Sequence, residues 1–110
     1  MAKGLKKASR PKAVVDPKGT PIRVAFGGRN KMGPERRFTT EAKARSAMVA
    51  ELKSFVPWCE RHNNEGIEAI NDTLMEVSKI TFHQELGRLE CLFDKRYDMC
   101  LVITYWRTDA

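Results

Sequence analysis

The run MCLVITYW, Met99 to Trp106, is apolar at nearly every position, so a strand built from it offers water-avoiding side chains to both faces. Such a strand is stable only in the interior of a sheet, with helices over at least one face. In a chain of 110 residues there is room for one core of this kind and not for two.

The rest of the second half supplies partners for it. Leu89, Cys91 and Phe93 alternate as a neighbouring strand, DKRYD reads as the turn between the two, and Ile80, Phe82 and Leu86 suggest one strand more. Upstream, Thr39 or Thr40 can cap a helix in which Met48, Val49, Leu52, Phe55 and Val56 share a face, with Pro57 as its stop. Asn63 or Asn64 can cap a second helix, apolar along Ile67, Ile70, Leu74 and Val77 and acidic along Glu65, Glu68, Asp72 and Glu76. The acidic stripe fits a solvated face.

Pro21 to Phe26 alternates as a short strand before the stretch GGRNKMGPERRF, which spans Gly27 to Phe38. Arg36, Arg37 and Phe38 read as a brief return strand, which makes the glycines part of a wide basic hairpin loop. The expected class is α+β: a small antiparallel sheet of three to five strands packed against two helices, in a single domain over residues 21–110.

Charge divides the chain unevenly. Residues 1–38 hold eleven Lys and Arg against two carboxylates, whereas residues 39–110 hold nine against twelve. Residues 1–20 carry Lys, Ala, Gly, Pro and Ser with only Leu5, Val14 and Val15 as larger aliphatics, too little apolar surface to offset the entropy of ordering. The expectation is a basic extended N-terminal arm that seeks a polyanion.

Other function classes find less support. Gly28 to Gly33 has the glycine spacing of a phosphate-binding loop, but Pro34 and Glu35 stand where that motif requires Lys and Ser or Thr. Cys59 and His62 are the only Cys and His close in sequence, and neither a second metal-ligand pair nor a third orienting group accompanies them. Cys91 and Cys100 could face each other across their hairpin, and His83 sits on an alternating segment with Thr81 and Glu85. No motif combines nucleophile, base and orienter, so the protein is expected not to be an enzyme and no cofactor or metal is implied. No apolar run approaches the roughly 18 residues that span a bilayer, and three cysteines without paired spacing suit a reducing compartment; the expected location is the cytoplasm, with no membrane partner.

The segments TPIRVAFGG and RRFTTEAKARSAMVAEL resemble the strand, turn and helix of the AP2-like arm-binding domains at the N-termini of phage integrases, over residues 21–56. In that family the sheet reads DNA, and the resemblance assigns that role to Arg23, Arg29, Arg36 and Arg37.

Together these readings give a non-enzymatic nucleic-acid-binding protein that contacts the phosphate backbone through Lys3, Lys6, Lys7, Arg10, Lys12, Lys18, Arg23, Arg29, Lys31, Arg36 and Arg37. Tyr105 and Trp106, next to Arg107, are either core packing or a base-stacking platform. The alternative is a small phage-type or accessory subunit or inhibitor that docks on a larger protein or nucleoprotein assembly.

Overall fold

A computed structural model describes residues 19–109. The expected arm therefore lies almost wholly outside the described residues. Two strands open the fold, β1 (Ile22–Gly27) and β2 (Met32–Phe38). Three helices follow: α1 (Glu41–Lys53), α2 (Val56–His62) and α3 (Glu65–Lys79). Two strands close it, β3 (Gly87–Asp94) and β4 (Met99–Arg107). All neighbouring strands pair antiparallel, in the order β2-β1-β4-β3, so the class is the expected α+β.

The doubly apolar run is β4, and it does lie inside the sheet. Leu101 and Ile103 face the helices and Val102 faces away, all three at most 4% exposed. The helix-side core joins Ile22, Val24 and Ile103 of the sheet to Met48, Leu52, Ile70 and Val77 of the helices. α1 packs on β1 and β2, and α3 packs on β3 and α1. Thr40 caps α1 by accepting a hydrogen bond from the Lys43 N–H, as its position before the helix suggests. At the start of α3 the Asn63 carboxamide accepts from the Glu65 N–H and donates to the Phe93 carbonyl, tying the helix to β3.

Four local expectations are corrected. Pro57 does not stop the first helix: α1 ends at Lys53 with Ser54 as its cap, and Pro57 occupies the first turn of α2, where a missing N–H costs nothing. The segment from Ile80 to Leu86 is no strand; it buries Phe82 and meets the sheet through one bond, Arg107 N–H to the His83 carbonyl at 2.9 Å. The return strand starts at Met32, so the hairpin is closed by a tight turn with Gly28 N–H donating to the Lys31 carbonyl at 2.9 Å. Cys91 pairs with Leu101 and Cys100 with Leu92, which puts the two thiols on opposite faces of the sheet.

Among the described residues no helix is long and apolar enough to cross a membrane.

Candidate functional site

Among the described residues the helices cover one side of the sheet and no element is layered on the other. Strand alternation and register place the side chains of that side in rows. One runs Arg37, Arg23, Trp106 across β2, β1 and β4. The next runs Glu35, Ala25, Thr104, Arg88, and a third brings Gly27, Val102 and Glu90 together. Antiparallel sheets often present one solvated face. Here arginines and glutamates flank a centre of Ala25, Thr104 and Val102.

Two ion-pair groups result. Glu35 lies between Arg23 and Arg37, at 2.5 Å and 3.2 Å, and Arg23 is 7% exposed and also donates to the Thr20 carbonyl at 3.1 Å. Glu90 lies between Arg88, at 3.1 Å, and Arg29, which adds Asp98 at 2.6 Å. Hydrogen bonding from Arg29 is the main reason that the Glu90 carboxyl is held below the usual carboxylate range. The same pairing raises the Arg29 guanidinium above its ordinary value.

The five described cations that sequence points to are thus placed in three ways. Arg23, Arg29 and Arg37 lie on the uncovered face, each in contact with carboxylates. Arg36 points to the helix side, over the Phe26 ring at 4.9 Å and 3.7 Å from Glu51. Lys31 is exposed at the hairpin turn, with no ion pair to a described residue. Lys3, Lys6, Lys7, Arg10, Lys12 and Lys18 lie outside the described residues.

The glycines of the hairpin serve strand packing. A Cβ on Gly27 would collide with the Lys31 carbonyl oxygen, and one on Gly33 would sit 2.7 Å from the Phe26 carbonyl oxygen, so both admit close backbone approach within the bulged hairpin itself. The hairpin turn is also remote from the chain's entrance to the sheet. Six residues of β1, at about 3.3 Å each, put Gly28 roughly 20 Å from Pro21. A ligand touching both would lie along the strands.

The remaining sequence candidates do not converge. Cys59 is fully buried in the core, whereas His62 is exposed and stacked on Trp58 with ring centroids 4.6 Å apart. Burial pushes the thiols of Cys59, Cys91 and Cys100 up. His83 is exposed and pairs with the Thr81 hydroxyl at 2.7 Å. A cleft of about 650 Å³ lies between the first turns of α3 and the β3–β4 turn, lined by Glu65, Glu68, Asp72, Asp94, Lys95 and Arg96. Its buried carboxylate, Asp94, is already bound by the Arg96 guanidinium at 3.1 and 3.2 Å and by the Arg96 N–H at 3.0 Å.

Tyr105 and Trp106, adjacent in sequence, have different fates. Tyr105 packs into the core edge-on to Phe82 at 5.4 Å, while Trp106 projects from the uncovered face beside Arg23. Sequence reasoning missed Glu35, Glu90 and Asp98 as partners of the basic loop. The strand register brings Glu35 to Arg23 and Glu90 to Arg29, while Glu35 and Arg37 lie two apart on one strand, where alternation alone could have found them. No family model, curated protein or solved structure matches the chain.

Proposed function

We propose that this is a non-enzymatic nucleic-acid-binding protein that holds phosphates chiefly through the cations of its first eighteen residues. The observation that carries this reading is how the folded body uses its own charge. Every described arginine except Arg61 lies within 3.7 Å of a carboxylate. Residues 19–109 as a whole hold fourteen Lys and Arg against thirteen Asp and Glu. The net charge of +6 therefore belongs almost entirely to residues 1–18, where Lys3, Lys6, Lys7, Arg10, Lys12 and Lys18 face only Asp16.

Cations that are not committed to internal carboxylates are the ones able to displace counterions from a polyanion. Phosphate contacts of this kind fix position without reading bases, so affinity for different duplex sequences is expected to be similar. The AP2-like resemblance adds Arg23, Arg29, Arg36 and Arg37 as contacts, of which Arg23, Arg29 and Arg37 lie on the side of the sheet opposite the helices. Their carboxylate partners limit them to exchanging one anion for another.

The test is binding to a mixed-sequence duplex as salt is raised, with the full chain and a chain lacking residues 1–18. If all six cations are used, the log-log slope is about −5, from roughly −0.9 per phosphate neutralised. Deletion should abolish most of that slope and leave the melting temperature nearly unchanged. A deleted chain with undiminished affinity would move the interaction to the body. Binding to a host assembly that survives nuclease treatment, with no affinity for the duplex, would instead favour an accessory protein-docking subunit.

A further inference from the structure

We propose that Trp106 is a stacking platform for one unpaired base of the nucleic acid held by the N-terminal cations. The proposal rests on the reading above and narrows its ligand to single strands or unpaired segments.

Three features meet at one corner of the sheet. The first is the indole itself. Strand alternation sends Tyr105 into the core and Trp106 to the face that no helix covers, and there it is half-buried, with no ring or cation contact among the described residues. The second is local charge. The same row holds Arg23 and Arg37, which share the single carboxylate of Glu35, so this group keeps one positive charge beside the indole.

The third feature is where the chain enters. Arg23 donates to the Thr20 carbonyl, and Thr108, two residues beyond Trp106, donates its N–H to the Pro21 carbonyl at 2.9 Å. Lys18 precedes this point by only three residues. The cation nearest the fold in sequence, Lys18, is thus tethered within three residues of the entry point beside the row that holds Trp106.

Single strands expose base faces that duplexes keep stacked, and an aromatic next to cations is the general way proteins bind them without sequence preference. Tyr97, an exposed aromatic just before the opposite end of β4, already has Arg96 over its ring at 5.3 Å. It offers no comparable open face.

The experiment uses the full chain carrying Trp58→Phe, which leaves Trp106 as the only indole. Its fluorescence is titrated with oligo-dT, with a duplex of the same length and with heparin, a polyanion that has no bases. Oligo-dT should quench the indole; duplex and heparin should bind with little quenching. Trp106→Ala should weaken oligo-dT binding on the order of tenfold and leave duplex and heparin binding unchanged. If that variant does not fold, Trp106→Leu serves the same comparison, because it keeps an apolar side chain and removes the π-face.

Equal affinity of the variant and its parent for oligo-dT, or binding that depends on residues 1–18 without any quenching, would overturn the platform and leave the proposed function standing. Failure of all three polyanions to bind would overturn the proposed function itself.

Discussion

Arg29 and Glu90, 61 positions apart in sequence, form a two-pronged ion pair across the uncovered face, with N–O distances of 3.2 and 3.1 Å. The register sets Glu90 against Val102 and Val102 against Gly27, so the guanidinium that follows Gly27 reaches over β4 to meet its partner. Among the described residues no helix lies above Val102, and it is still only 1% exposed. A strand apolar on both faces is accommodated here by a salt bridge on one side and a hydrophobic core on the other.

The pair makes stability depend on pH with a definite sign. The Glu90 carboxyl is held below its ordinary value in the folded chain, first by hydrogen bonding from Arg29. Its contribution is present in full above the ordinary glutamate value of about 4.3 and is lost as pH falls through the lowered folded value. The stability gap between the parent and Glu90→Gln should therefore be constant near neutrality and shrink between about pH 5 and pH 2. Urea midpoints measured across that range check this, and a gap that does not change with pH would contradict it.

Arg45 holds the far end of α3. Its guanidinium donates to the Val77 carbonyl at 3.3 Å and to the Ile80 carbonyl, groups that a helix C-terminus leaves without intrahelical donors. Replacement by Met keeps most of the stem over Phe82 and removes the donors. We expect Arg45→Met to cost about 1–3 kcal/mol in chemical denaturation. Hydrogen exchange should accelerate most at the last turn of α3, and uniform acceleration throughout the chain would show that Arg45 acts on the core instead.

Much of this architecture was legible because it follows from side-chain periodicity. The doubly apolar β4, the helix faces led by Met48 and Ile70, the Thr40 cap and the Lys95–Asp98 turn all answer to patterns within a few residues. What was not legible depends on partners distant in sequence. Phe82 reads as one position of a strand, but its ring is buried against Tyr105 from a segment without ladder bonds. Arg23 and Arg29 read as cations for a ligand because Glu35 and Glu90 approach them only after the strands pair, whereas Arg37 and Glu35 are two apart on one strand, a proximity that alternation alone offers.

Gly66 marks the tightest approach of α3 to the sheet. A Cβ there would collide with the Phe93 carbonyl oxygen and lie 2.7 Å from the Cys59 sulfur. Both neighbours are held, the Phe93 carbonyl by the Asn63 carboxamide that donates to it at 3.3 Å and the Cys59 sulfur by a fully buried site. Helix propensity alone would favour alanine by about 1 kcal/mol. The clash should reverse that sign and give a net loss of roughly 1–3 kcal/mol for Gly66→Ala in denaturant melts. A stabilised variant would mean that α3 can move off β3 without cost.

The three thiols differ in access, and one of them reports on the Arg29–Glu90 pair. Cys59 and Cys91 are at most 2% exposed, whereas Cys100 is half-buried on the uncovered face opposite Leu92. Burial raises the Cys100 thiol first, the Glu90 carboxylate raises it further, and Arg29 opposes both. Native alkylation with iodoacetamide, followed by peptide mapping, should modify Cys100 and leave Cys59 and Cys91 to react only through unfolding. The rate should keep rising beyond the ordinary thiol value of about 8.5, because only the thiolate attacks. Glu90→Gln should shift that profile to lower pH and Arg29→Met to higher pH. Identical profiles in the two variants would show that Cys100 titrates independently of the charge pair, and labelling of Cys91 as fast as Cys100 would contradict the placement of these thiols on opposite faces.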